Sequence, residues 1–212
     1  MDYKYFKYKK KYLELKNKYN NLKGGGKQNK IKKSKIITLV SGNPGKIKEF
    51  KEILGLELKT IDIDLPEIQS TDVKEVAREK LKTAMKELKN KPCIIDDSGL
   101  HINRLNGFPG ALIKFFHKKL QNDGIVNIVG ESKAQAVSVI GYFDGKNEFL
   151  FEGKTEGKIP DTPKGEGFGW DAIFVPNLSE LSYAEMSSKE KNKISQRRLA
   201  IEQLKKHLEN EK

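Results

Sequence analysis

The sequence predicts an α/β fold in which a central mixed sheet, lengthened by a long β-hairpin, is flanked by helices. Three observations carry this reading. Short apolar runs rich in β-branched residues alternate with segments of helical periodicity from Ile36 onward. Two strand-like runs meet at Asp144-Gly145, a hairpin signature. A glycine-rich turn, Ser41-Gly42-Asn43-Pro44-Gly45-Lys46, joins the first strand to the first helix.

Taken in order, residues 36–40 (Ile-Ile-Thr-Leu-Val) form the first strand, and residues 47–54 the first helix. Residues 56–61 read as a second strand. Residues 72–90 carry Val73, Val76, Ala77, Leu81, Met85 and Leu88 at helical spacing, with Pro92 just beyond the end. Cys93-Ile94-Ile95 is a short buried strand that runs into Asp96-Asp97-Ser98-Gly99. Gly107-Phe108-Pro109-Gly110 is a turn, and residues 111–120 the next helix. Residues 134–143 and 148–152 form the hairpin, and residues 172–175 a further strand. The last helix starts at Ser187, where Ser187 and Glu190 have capping-box spacing, and continues to about Leu208.

The chain has 212 residues, enough for one sizeable core. Its longest apolar runs are about five residues, far below the ~20 that a membrane-spanning helix needs. Cys93 is the single cysteine, so no internal disulfide can form, which points to a reducing compartment; the cytoplasm is the expectation. The net charge of +12 is concentrated at the start: residues 1–35 hold thirteen lysines against Asp2 and Glu14, leaving residues 36–212 nearly neutral. In that leader Tyr5, Tyr8, Tyr12, Leu15, Tyr19 and Leu22 recur at spacings of three and four, as in a lysine-rich amphipathic helix. Gly24-Gly25-Gly26 ends it, and residues 27–35 read as a basic linker. The leader is either a solvated helix without a catalytic part or a means of self-association or of docking on an acidic surface, nucleic acid or headgroups. Two parts are expected: residues 1–35 and a single domain over residues 36–212.

Three segments could carry chemistry. The turn at residues 41–46 offers free backbone N–H groups, a helix N-terminus and Lys46 to an anion. It is not a Walker A loop, because two residues separate Gly42 from Gly45 and Ile47 follows the lysine. Asp96-Asp97-Ser98 places two carboxylates after an apolar strand, which calls for a cation or proton nearby unless the segment is simply a turn. Glu67, in Leu65-Pro66-Glu67, is a second oxygen ligand of the kind magnesium prefers. Gly165-Glu166-Gly167-Phe168-Gly169-Trp170-Asp171 could stack a flat base on Phe168 or Trp170, or could be an aromatic-plugged turn. His101, His117 and His207 show no metal-ligand spacing.

The motifs SGNPGKIKEF, DLPEIQ, DDSGL, GFGWDAIF and YAEMSSKEKNKISQRR, in this order, resemble the inosine triphosphate pyrophosphatase family across residues 36–212. The resemblance implies hydrolysis of ITP, dITP and XTP to the monophosphate and pyrophosphate, a Mg2+ cofactor (Mn2+ as a substitute) and a homodimer. It further implies that Ser41, Gly42, Asn43, Pro44, Gly45 and Lys46 grip the triphosphate. Glu67 and Asp97 hold the metal with Asp96 in support, Asp97 and Ser98 also contact the substrate, and Asp97 orients or deprotonates the attacking water. Lys80, Lys114 and Lys191 are the substrate lysines, with Lys80 displaced by one position. Phe168, Gly169, Trp170 and Asp171 form the base loop. Gln196 stands where the family usually has histidine, and Arg197 could face the purine O6. The alternatives are a related house-cleaning pyrophosphatase with another base preference, or an idle nucleotide- or nucleic-acid-binding protein. Any nucleic-acid or acidic-surface contact would go through residues 1–35.

Overall fold

The computed structural model describes residues 37–210. The expected leader helix and basic linker lie outside these residues. In chain order the elements are β1 (Thr38–Val40), α1 (Pro44–Leu54), β2 (Lys59–Ile61), α2 (Val73–Glu87), β3 (Cys93–Ile102), β4 (Pro109–Gly110) and α3 (Ile113–Val129). They continue with β5 (Ser132–Phe143), β6 (Glu148–Ile159), β7 (Val175–Pro176), α4 (Ser188–Ile194) and α5 (Gln196–Asn210). Local chemistry sets the helix starts. Asn43 caps α1 by accepting from the Lys46 N–H, with Pro44 in the first turn, and Gly55 closes the helix at φ 64°. Asp72 caps α2, and the Ser187–Glu190 capping box expected at α4 is formed.

The sheet order is β2-β1-β3-β5-β6-β7, with β4 on the edge of β3. β1 is parallel to both β2 and β3, whereas β3, β5 and β6 are antiparallel. Because side chains alternate along a strand, each face of the long strands has its own cover. On one face Phe50 and Ile53 of α1, with Ala200, Ile201 and Leu204 of α5, pack on Ile94, Ile140 and Tyr142. On the other, Ala77, Leu81 and Ala84 of α2 pack on Cys93, Ile95, Val137 and Val139. Burying such side chains contributes about 1.5–3 kcal/mol each, the reserve against which a buried charge cluster can be held.

The mixed sheet, its flanking helices and the hairpin are those expected; several boundaries are not. β2 is only three residues because its partner β1 is equally short. The strand expected at residues 93–95 continues to Ile102, since every residue of β3 pairs with β5. The hairpin begins earlier, at Ser132, and runs past Glu152 to Ile159. The helix expected over residues 111–120 reaches Val129, with a non-helical Gln121 inside it. Residues 171–173 form a 3-10 turn before the short β7, in place of a strand at 172–175. The last helix is two helices, because Ser195 is extended and its Oγ accepts from the Arg198 N–H to start α5.

Candidate active site

Three short loops and one strand edge meet at a single place. β1 stops pairing with β3 at Ile94, and β4 takes up the same edge only at Leu100. Asp96, Asp97 and Ser98 therefore lie on an open stretch of strand edge. The turn at residues 41–46 leaves the end of β1 there, and the loop bearing Glu67 follows the end of β2. Ligands in α/β sheets bind outside the carboxyl ends of parallel strands, and a cleft of about 650 Å³ opens at this point. The expectation that the two aspartates follow a strand end is thus corrected: the strand that ends is β1, and β3 runs on beneath the cleft.

Gly42 of the turn lies against the carboxylate of Asp62, the movable end of an exposed side chain. Lys46, in the first turn of α1, reaches the Asp96 carboxylate at 2.7 Å and its carbonyl at 3.1 Å. Asp96 also accepts from Ser138 Oγ at 2.6 Å and from Arg197 Nε at 3.3 Å. Arg197 further donates to Glu49 and to Ser98 Oγ. Burial opposes ionisation of Asp96, but Arg197 and Lys46 outweigh it and hold its pKa at about 2. Burial likewise opposes the charge on Arg197, and Asp96 and Glu49 push its pKa upward in spite of it.

Asp97 points to the opposite face of β3. Its Oδ1 and the Glu67 Oε1 each lie 2.9 Å from the Lys80 ammonium, which α2 supplies. Burial raises the Asp97 pKa, and Lys80 only partly offsets this. At Glu67, half-buried, Lys80 outweighs desolvation and the pKa falls. At Lys80 desolvation is in turn outweighed by Asp97 and Glu67, and its pKa rises.

The expected residues otherwise fall as follows. Lys114 lines the cleft from the start of α3. Lys191 of α4 is 2.6 Å from Asp171 Oδ2 and 3.9 Å from Glu49. Burial raises the Asp171 pKa against the pull of Lys191. Phe168 is 74% exposed, whereas Trp170 packs edge-on against Phe174 and lies near Tyr183. Of the two aromatics, Phe168 is therefore the one free to stack. Gln196 is buried and accepts from the Tyr183 hydroxyl at 3.0 Å. Asp96, expected as a supporting metal carboxylate, faces away from Glu67, with both oxygens engaged by protein donors.

The sequence reading did not single out Glu49 or Ser138, and it weighed His117 only as a metal ligand. Glu49 sits three residues after Lys46, on the same helical face, which was a usable signal. Ser138 is a polar residue in the middle of an apolar strand. His117 follows Lys114 by one helical turn and lines the cleft beside it.

Five cationic and six carboxylate side chains line the cleft, so its charge is nearly balanced. A triphosphate carries about four negative charges, and phosphoryl transfer depends on neutralising them. The chemistry of Glu67 and Asp97 fits a magnesium ion: both offer hard oxygen donors and already converge on one cation, and magnesium often uses one or two carboxylates plus phosphates. Manganese takes the same ligand type. Among the described residues no group of three or more acids, histidines or cysteines is placed to hold a metal.

The chain is similar to known proteins over almost all of its described length. The Ham1 family model matches residues 37–207. A dITP/XTP pyrophosphatase of Methanopyrus kandleri is 39% identical, with 78% of this chain and 92% of that protein covered. An inosine triphosphate pyrophosphatase of Kluyveromyces lactis is 40% identical over 82% of this chain and 96% of its own length. The structure of a HAM1 protein from Coxiella burnetii superposes with a TM-score of 0.70 at 30% identity, covering 82% of this chain and 98% of that one. The architecture and the matched length leave one assignment, and the chain belongs to the Ham1 family.

Proposed function

We propose that the protein hydrolyses non-standard purine nucleoside triphosphates (ITP, dITP and XTP) to the monophosphate and pyrophosphate. The observation that carries this is the convergence, on one cleft, of the phosphate turn at residues 41–46, the Glu67–Asp97 pair and the loop at residues 168–171. The similarity to an inosine triphosphate pyrophosphatase and to a dITP/XTP pyrophosphatase supports the same reaction.

In this reading the turn's N–H groups and Lys46 take the phosphates, with Lys114 and Lys191 beside them. Glu67 and Asp97 would hold magnesium or manganese, which supplies charge neutralisation for the departing pyrophosphate. Asp97 accepts the proton of the attacking water. Its burial favours that proton more than an exposed aspartate would. The water oxygen bonds to the α-phosphorus as the bond from that phosphorus to the α,β-bridging oxygen breaks. Phe168 stacks on the base, and Arg197 and Gln196 face its polar edge. A 6-keto purine accepts from such donors, whereas adenine offers a 6-amino donor and leaves them unpaired.

The chain acts as a homodimer in this reading; Phe115 and Ile128, both more than half exposed on α3, are the kind of apolar surface that would be covered. Sedimentation would show a monomer if this is wrong. The lone, buried Cys93 suits the cytoplasm. Among the described residues no helix is long and apolar enough to cross a membrane.

Pyrophosphate release with magnesium across ITP, XTP, dITP, GTP, ATP and dUTP tests the function. Preference for ITP, dITP and XTP is expected. Preference for a pyrimidine would assign another house-cleaning activity. No release from any nucleotide, with salt-dependent oligonucleotide binding, would replace catalysis with a binding role.

A further inference from the structure

Helix α3 is continuous in the chain but not in geometry. At Gln121 the backbone has φ 55° and ψ −177°. That region is essentially glycine's, and a larger residue held there costs on the order of 1–3 kcal/mol. What the break achieves is visible in the next residue. Asn122 Oδ1 is 3.1 Å from His117 Nε2, and Asn122 Nδ2 donates to the Gly169 carbonyl at 3.2 Å. With Nδ2 engaged, the carboxamide oxygen remains to accept from His117, which places the donor proton on Nε2. His117 and Asn122 are five residues apart, outside the i+3 and i+4 neighbours of a regular helix, and the break at Gln121 lies between them.

Gly169 is the residue this tie holds. It sits between Phe168 and Trp170 at φ 62°, with nothing near its Cα on the side a Cβ would occupy. Phe168 is mostly solvent-exposed, so core packing does not fix the loop there. The Asp171 end is held by Lys191. His117 and Asn122 hold the other end, and His117 lines the cleft one turn after Lys114.

We propose that Asn122, seated by His117, is a positioning residue that sets the loop at residues 168–171 and thereby the discrimination among purine bases. This rests on that loop being the base loop. The hydrogen bonds of both residues run toward it and not to the phosphate turn or Lys80, so the effect falls on base recognition and not on phosphorus chemistry.

The test uses the full chain with magnesium and Asn122→Ala. KM and kcat are measured for ITP, XTP and GTP, together with acrylamide quenching of Trp170, the single tryptophan. The expected result is a rise of about tenfold in KM for ITP, from the loss of the hydrogen bond that ties Gly169, with kcat retained. Discrimination against GTP narrows and quenching increases. Asn122→Asp keeps the acceptor for His117 but loses the donor to Gly169, and should match Asn122→Ala. Wild-type KM and quenching in Asn122→Ala would overturn the proposal. An equal kcat loss for all three nucleotides with a lowered Tm would also overturn it, because that marks a merely structural part. Phe168→Ala separates the two readings. If it leaves KM for ITP unchanged, the base-loop reading fails, whereas increased Trp170 quenching in Asn122→Ala still upholds the tie itself.

Discussion

Two charge clusters lie on either side of β3, and they differ in how much of their charge is already committed. On the α1–α5 side, the side chain of Asp96 is 1% exposed and held by Lys46, Arg197 and Ser138, while Arg197 also binds Glu49 and Ser98. On the α2 side, Asp97 and Glu67 share one ammonium, that of Lys80, and Glu67 is 25% exposed. The first cluster holds Asp96 ionised, with a pKa of about 2; in the second, burial moves Asp97 upward. Two identical neighbours in sequence thus become a buried anion held by several donors and, in the proposed mechanism, a proton acceptor. The cause is strand alternation, which sends them to environments with unequal numbers of cations.

The strongest way to break this contrast is Asp97→Asn. In the proposed mechanism it removes the proton acceptor while the Asp96 cluster stays intact. Turnover of ITP should fall by about 10²–10⁴-fold, with the circular dichroism spectrum unchanged. Activity near wild type would take Asp97 out of the mechanism.

Asp96→Asn should act in the opposite currency. It leaves Lys46 and Arg197 without their shared buried partner, and loss of one member of a buried pair costs roughly 3–5 kcal/mol. A denaturant melt measures this directly. The dependence on pH gives the signs. The ionised form of Asp96 stabilises the fold fully above its ordinary pKa of 3.8, and that contribution disappears as the pH falls toward about 2. The raised pKa of Asp97 means that its ionisation, as pH rises, weakens the metal-free fold. In EDTA at neutral pH, Asp97→Asn should therefore hold or raise Tm while Asp96→Asn lowers it. Equal losses in the two variants would erase the distinction.

Glu67→Gln sharpens the comparison from the open side. It should raise the magnesium concentration needed for half-maximal rate by about tenfold and leave the Asp96-dependent stability untouched. An unchanged magnesium requirement would remove Glu67 from the proposed metal site.

The clusters were unequally legible in the sequence. Asp96 and Asp97 stand out as paired carboxylates after an apolar run, but their opposite facing does not, because Asp, Ser and Gly are poor strand formers and by local preference end the strand at Ile95. The full-length pairing of β3 with β5 overrides that local preference, and only within a continuous strand do the two residues face apart. Ser195 could have been read as a second helix start, since serine is a good N-cap. The break at Gln121 left no such mark: neither that residue nor its neighbours are glycine or proline, and the conformation is held by Asn122 and the loop beyond it. Lys46 was readable because the turn is local; its partner Asp96 is brought up by the sheet.

The gentlest probe of the comparison is Ser138→Ala. Ser138 is fully buried, and its hydroxyl lies 2.6 Å from Asp96 Oδ1 and 3.2 Å from Ser98 Oγ, while Asp97 contributes only its carbonyl, at 3.3 Å. Removing that hydroxyl takes one donor from a carboxylate that keeps Lys46 and Arg197. The loss should be about 1–3 kcal/mol in unfolding free energy, because the hydrogen bond goes to a charged group in a buried place. On the other face Asp97, Glu67 and Lys80 keep all their contacts, so the magnesium requirement should stay at the wild-type value. A shift in that requirement as large as the one expected for Glu67→Gln would show that the two clusters communicate through β3 and are one site.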